Sequence, residues 1–307
     1  YCRHIKVNLY KDGSISVEDD GRGIPVAEHP EKKVSTLELV LTELHAGGKF
    51  GDTKGYKVSG GLHGVGIKCA NALSEWFHIR VWRDGGIWEQ TYDRGVRRGN
   101  VERTGDTQRK WTRVQFKPDP QIFPGLEFKY EILSKRFREM AFLNPGLRLT
   151  VTDERVDRTE IFDYPGGLIT FVEHINAGRE PIHKDVISAH AEEEAIVVDV
   201  AMQYNDGYDE KIFCFANNIN TAGGGTHLSG FKTALTRVFG GGDRRDWLDG
   251  RHNLAQVGGR CVRRRRLAHG RRSVHHRFRR ATSAVHNDQP PRIPEPFRGS
   301  ARRPWPR

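Results

Sequence analysis

The chain has 307 residues, 36% hydrophobic and 29% charged, with a formal net charge of +11, a length that accommodates two ordinary domains with separate cores. Its mean hydropathy is −0.66, and no apolar run approaches the roughly 20 residues of a membrane-spanning helix, so no membrane partner is expected. The N-terminus shows no charged-then-apolar leader, and it opens on Tyr1 rather than Met, which points to a start inside a longer reading frame.

Taken in chain order, Ile5-Lys6-Val7-Asn8-Leu9-Tyr10 alternates apolar and polar residues, the period of a half-buried strand. Asp12-Gly13 supplies a turn and Ile15-Ser16-Val17 alternates again, so a β-hairpin is predicted. An acidic, glycine-punctuated loop follows, Glu18-Asp19-Asp20-Gly21-Arg22-Gly23-Ile24-Pro25. Leu37, Val40, Leu41 and Leu44 then mark one face of a helix. Ser35 with Glu38 forms a capping-box pattern at its start, and Ala46-Gly47-Gly48 ends it near His45. Gly47, Gly48, Gly51, Gly55, Gly60, Gly61 and Gly64 punctuate the next stretch, from which a short helix opens at Ile67–Leu73.

Strands are predicted at Phe77–Trp82 and Ile87–Tyr92, joined by Asp84-Gly85-Gly86, and at Thr112–Lys117 and Leu147–Thr152, with a helix over Tyr130–Leu143. Such grouping suggests an α+β sandwich rather than alternating βαβ units. A second domain is expected near Phe162, giving boundaries of 1–155 and 156–239, with helices at Leu168–Asn176 and Thr226–Phe239 and strands at Ile196–Gln203 and Lys211–Phe215. Beyond Gly240 apolar periodicity disappears. Val238–Arg307 holds 18 Arg, no Lys and 5 acidic residues, while the remaining 32 basic and 34 acidic residues nearly balance. The basic excess, a possible nucleic-acid signal, is thus confined to a 240–307 tail for which disorder is expected. Cys2, Cys69, Cys214 and Cys261 stand singly, without zinc or redox spacing, as suits incidental thiols in a reducing cytoplasm.

Gly60-Gly61-Leu62-His63-Gly64-Val65-Gly66 precedes a helix start. Glycines let backbone N–H groups approach a ligand closely, and a helix N-terminus favours negative charge, so the segment suits a polyphosphate. It is neither a dinucleotide fingerprint nor a P-loop with its Gly-Lys-Ser/Thr ending. Asp19 at a strand end can accept an exocyclic amine proton of a purine, and Lys49 within His45–Phe50 can reach phosphate as a point charge. Acid loop, helix, glycine-rich lid and helix start together describe an ATP pocket closed by a mobile segment. Singly, Asp19 and Asp20 could be turn formers, Arg22 a surface charge and His63 a solvated loop residue. His45 stays open between helix capping and function.

These segments resemble those of the GHKL ATPases, the superfamily of gyrase, Hsp90, mismatch-repair MutL and histidine kinases. The strings His45–Phe50 and Tyr56–Gly66 resemble the B subunits of bacterial type IIA DNA topoisomerases, gyrase and topoisomerase IV. The likeness runs from Tyr1 to about Arg237. It implies a GHKL (Bergerat) sandwich followed by a partial transducer domain of ribosomal protein S5-like fold, beginning around Asn217-Asn218-Ile219 and Gly224-Gly225-Thr226-His227. By resemblance Asp19 binds the adenine amino group beside Gly23, and Arg22 and Pro25 line the adenine edge where coumarin inhibitors bind. Lys49 and the backbone of Gly61, Leu62, His63, Gly64, Val65 and Gly66 hold phosphate, Tyr56 reaches the nucleotide from the lid, and Thr112 supports Asp19. Trp111 stands where the family normally has glycine, so the local turn is expected to differ.

The resemblance further implies ATP and Mg²⁺ as cofactors, a gyrase A-type subunit and DNA as partners, B-subunit dimerisation on ATP binding, and a cytoplasmic location. It places the general-base glutamate and the Mg²⁺-binding asparagine before Tyr1, so no catalytic residue or metal ligand is expected in this chain. These residues alone are expected to bind ATP without hydrolysing it. The family's Thr-Ala-Val-Ile strand and Gln-Thr-Lys loop are missing after Arg237. Asp249-Gly250-Arg251-His252 read one base later can encode Thr-Ala-Val-Ile, which favours an out-of-frame tail. The other reading is a basic arm binding nucleic acid through Arg263–Arg266 with steep salt dependence. An ATP-binding chaperone or mismatch-repair clamp and a non-functional truncated product are the competing functional readings.

Overall fold

The computed structural model describes residues 2–43, 64–193, 196–240 and 256–263. Strands β1 (His4–Leu9) and β2 (Ile15–Asp19) are followed by helices α1 (Thr36–Thr42) and α2 (Gly66–Ala72). Next come β3 (Ser74–Arg83), β4 (Gly86–Asp93), β5 (Val96–Arg97), β6 (Glu102–Asp106), β7 (Trp111–Pro118), α3 (Tyr130–Leu143), β8 (Arg148–Asp153) and β9 (Arg158–Phe162). The rest comprises α4 (Gly167–Asn176), β10 (Ile187–Glu193), β11 (Ile196–Gln203), β12 (Lys211–Ala216), β13 (Ile219–Asn220), α5 (Thr226–Gly240) and β14 (Gln256–Arg263). Two compact units result: Tyr1–Gly223 with Gly250–Leu267, and Gly224–Asp249 with Ala268–Arg307. In the second of these, α5 is the described element. No described helix is long and apolar enough to cross a membrane.

The first sheet runs β5-β4-β3-β7-β2-β1-β8-β9, with β6 paired to β4. Turn chemistry sets its hairpins. Gly13 at φ +81° closes β1–β2, while Asp12 Oδ1 accepts from the Ser14 amide at 2.9 Å. Asp84 (φ 51°) and Gly85 (φ 76°) close β3–β4 with two consecutive left-handed residues, the backbone that matches strand twist. β1 pairs antiparallel with β2 but parallel with β8, which makes the sheet mixed and the fold α+β.

Alternation sorts the sheet into two faces. On one, Val7, Leu9, Ile15, Leu149 and Val151 pack with Tyr130 and Ala141 of α3. Beside them Phe77, Ile79, Val81 and Tyr92 pack with Leu37 and Leu41 of α1 and Ile67 and Ala70 of α2. On the other face, register lines Glu89, Arg80, Arg113, Glu18 and Lys6 across five strands. This is a polar surface carrying charges of both signs, with Arg80 and Arg113 side by side between the two glutamates.

The second sheet has the order β10-β11-β14-β12-β13. It joins the first through an aromatic stack. Phe142 of α3 lies 3.9 Å from Tyr164 and 4.9 Å from Phe171 of α4, centroid to centroid, and Phe215 of β12 completes the cluster.

Four expectations change. The first sheet extends past residue 155, because Arg158–Phe162 returns as β9 against β8. Helix α1 stops at Thr42. Its predicted capping box is half formed: Ser35 accepts from the Leu37 amide at 3.2 Å, but Glu38 is drawn to Arg97 Nη1 at 2.9 Å. Within the stretch after Gly240, Gln256–Arg263 is a strand between β11 and β12. Hydrogen bonding on both of its edges supplies the order that side-chain periodicity does not signal. The short strands β5, β6 and β13 and the seven-residue β10 also have no counterpart among the predicted elements.

Candidate functional site

Asp19 and Asp20 end β2 side by side yet do different work. Asp20 Oδ1 accepts from the amides of Arg3 at 2.7 Å and His4 at 2.9 Å, which ties down the start of β1. These bonds hold its carboxyl below the usual range. Asp19 follows Ile15 and Val17 at the period of 2, on the helix-covered face. Among the described residues its carboxylate accepts one hydrogen bond, at Oδ1, from the Gly21 amide at 2.9 Å. Burial, reinforced by the charges of Asp20 and Glu18, raises its pKa against that one opposing hydrogen bond. A half-buried carboxylate with acceptor capacity to spare is a recognition group for an N–H donor.

The loop leaving β2 is fitted tightly around it. A Cβ on Gly21 would stand 2.5 Å from Asp19 Oδ1. Gly23 has φ +73°, and its Cβ would meet the Trp82 carbonyl oxygen at 2.9 Å and Val81 Cγ1 at 3.3 Å. Arg83 Nη1 donates to the Gly23 carbonyl at 2.6 Å and locks the loop onto β3. Ile24 and Val26 then enter the core cluster of α1 and α2. Arg22 and Pro25 remain exposed on the loop.

Thr112 lies directly across from Asp19 in the β2–β7 register and across from Val81 in the β3–β7 register. It is buried at 7% exposure. Asp19, Thr112, Val81 and the Gly21–Gly23 turn therefore form one continuous patch. Trp111 does not disturb it: β7 starts at that residue, which pairs with Trp82. Its ring lies under Lys6 Nζ at 5.5 Å on the outer face.

The described part of the glycine segment is Gly64, Val65 and Gly66. Gly64 adopts φ +61°, and Val65, the residue preceding α2, makes no side-chain cap hydrogen bond to it. Ile67 and Ala70 pack into the same cluster as Ile24 and Val26, so the glycine segment and the acidic loop share one face of the sheet. Asn71 Nδ2 donates to the Leu41 carbonyl at 3.3 Å, joining α2 to α1. Lys49, Tyr56, Gly61, Leu62 and His63 lie outside the described residues, as do His45 and Arg264–Arg266 of the arginine block.

The structure thus brings together Asp19, Gly23 and Thr112, with Gly64–Gly66 on the same face. It adds Arg83, for which the sequence held no motif. Among the described residues no group of three or more His, Cys, Asp or Glu is placed to hold a metal ion.

Comparison with known proteins agrees with this geometry. The family model described as "Histidine kinase-, DNA gyrase B-, and HSP90-like ATPase" matches residues 1–122, and "DNA gyrase B" matches 167–241. The B subunit of DNA gyrase from Clostridium acetobutylicum is 52% identical over 78% of this chain, and the chain spans 38% of its length. The B subunit of DNA topoisomerase 4 from Bacillus subtilis is 47% identical over 77% of this chain, which spans 36% of it. Among solved structures, the 43K ATPase domain of Thermus thermophilus gyrase B, in complex with an aminocoumarin, superposes with a TM-score of 0.70 at 31% identity. That match covers 85% of this chain and 69% of the other. Identity is similar for the gyrase and topoisomerase 4 relatives. With its acidic loop and glycine segment on one face of the sandwich, and with these matches, the chain belongs to the DNA gyrase B family as a portion of a type II topoisomerase B subunit.

Proposed function

We propose that Asp19, Arg22, Gly23, Pro25 and Thr112 hold adenine, and that Lys49, Tyr56 and the backbone of Gly61–Gly66 hold the polyphosphate of ATP. The observation that carries the reading is the cross-strand pair of Asp19 and Thr112, with an under-satisfied carboxylate beside a loop that only glycine can form. A purine offers the exocyclic N–H that Asp19 lacks, and Thr112 supplies a hydroxyl next to it.

In the whole protein, this pocket would serve an ATP-hydrolysing DNA topoisomerase. ATP would draw two B subunits together, and an A-type subunit would cut and rejoin DNA, with Mg²⁺ beside the phosphates, in the cytoplasm. These 307 residues by themselves are proposed to bind ATP without turning it over. Hydrolysis needs a base to orient water, and the resemblance puts that glutamate before Tyr1.

The test is calorimetric titration of the chain with ATP and with an aminocoumarin. Mutually exclusive binding of the two is expected, with no phosphate release. Binding of neither, or of both together, would refute the assignment.

A further inference from the structure

The acidic loop and the glycine backbone do not account for Lys68. It sits on α2 one turn beyond the glycine segment and is buried at 7% exposure. Its ammonium donates to the Gly64 carbonyl at 2.5 Å, and among the described residues no carboxylate pairs with it. Burial lowers its pKa, the direction expected of a cation desolvated without a counter-ion. One helical turn on, Asn71 is buried at 2% exposure, and its Oδ1 accepts no hydrogen bond among the described residues. The buried face of α2 therefore carries polar capacity beyond what the described chain satisfies.

A buried ammonium without a carboxylate is costly unless an anion completes it. This one is fastened to Gly64, within the proposed polyphosphate segment, and it has two further N–H donors. We propose that Lys68 is a second cation of the nucleotide site: it holds Gly64 in its left-handed conformation and supplies the positive charge that ranks adenine ligands by phosphate number. The inference rests on the nucleotide reading given above. It adds a residue that contributes to phosphate affinity and leaves adenine recognition alone.

The experiment titrates the full 307-residue chain and its Lys68→Met and Lys68→Gln variants with adenosine, ADP and ATP at two salt concentrations. Met keeps the buried aliphatic stem, and Gln keeps a donor for the Gly64 carbonyl without the charge. Both variants are expected to lose about tenfold in ATP affinity, less for ADP and nothing for adenosine, with a shallower salt dependence. ATP affinity within twofold of the parent in both variants would overturn the proposal. So would a parallel loss of adenosine and ATP, because that marks a structural role. If Gln binds like the parent while Met does not, the hydrogen bond matters and the charge does not, which also overturns it. Should the parent chain bind neither adenosine nor ATP, the nucleotide reading itself falls, whatever the variants do.

Discussion

Replacing Asp19 by Asn tests the pocket at its centre. The Gly21 amide donates to Asp19 Oδ1 at 2.9 Å, and an Asn oxygen can keep that bond, so the turn should survive. The amide nitrogen then occupies the place of the second carboxylate oxygen and turns a donor toward the purine amine. One charge-assisted hydrogen bond is lost and two donors face each other, at about 1.5–3 kcal/mol, or roughly a 10- to 100-fold loss of ATP affinity. Stability should move the other way. Burial raises the Asp19 pKa above 3.8, so the folded state binds its proton more tightly than the unfolded chain does. Ionisation of Asp19 therefore costs stability above the folded pKa, and that cost disappears as pH falls through it. Asn has no such cost, and its unfolding temperature at neutral pH should equal or exceed the parent's. For the parent, ATP affinity should drop on acidification at a pH above the ordinary carboxylate midpoint, where Asp19 takes up its proton. Titration calorimetry and thermal unfolding across pH 3.5 to 8 read both quantities, a range set about the ordinary carboxylate values. If the Asn variant binds ATP within twofold of the parent, or unfolds at a lower temperature, Asp19 is a structural turn residue and the assignment is wrong.

Three further outcomes are expected. Gly23→Ala places a Cβ 2.9 Å from the Trp82 carbonyl at φ +73°. It should cost about 1–2 kcal/mol in a denaturant titration and weaken ATP binding as the loop leaves Arg83. Phe142→Ala removes a ring 1% exposed, stacked between Tyr164 and Phe171, and should cost about 3–5 kcal/mol in the same measurement. Thiol labelling followed by mass spectrometry near pH 8, about the pKa of a free thiol, should modify exposed Cys69 well before Cys2 or buried Cys214. Burial and the neighbouring Asp20 raise the Cys2 thiol pKa to about 12 and leave little thiolate there.

Much of this fold was legible because its signals are local. The helix over Tyr130–Leu143 and the strand over Ile196–Gln203 coincide with α3 and β11, each marked by periodicity within its own residues. The hairpins followed from Asp12-Gly13 and Asp84-Gly85, whose backbones require or tolerate positive φ. What escaped depends on partners distant in the chain. β9 is a short return strand fixed by its hairpin with β8, and its Ile161 is 60% exposed, so burial leaves little pattern to read. β14 owes its place to β11 and β12 on either side. The capping box failed because Glu38 found Arg97, which is 59 residues away. The site divides in the same way. The roles of Asp19 and Thr112 could be expected from resemblance, whereas the separation of Asp19 from Asp20 and the clamp by Arg83 needed three-dimensional register.

The features of the acidic loop make sense together only if a ligand completes them. Taken alone, each is a local cost: a carboxylate desolvated beyond its hydrogen bonds, and a turn that excludes a Cβ at Gly21 and at Gly23. A loop selected for stability would have shed them, since Asn at 19 would relieve the desolvation and residues able to bear a side chain would stiffen the turn. Instead the surroundings hold the arrangement in place. Asp20 is spent on anchoring β1, Arg83 on fixing the Gly23 carbonyl, and Ile24 and Val26 on seating the loop in the core. Departures from local preference that neighbouring structure enforces mark functional sites. Here they converge on Asp19, whose second carboxylate oxygen accepts no hydrogen bond among the described residues, the acceptor that the proposed purine amine would meet.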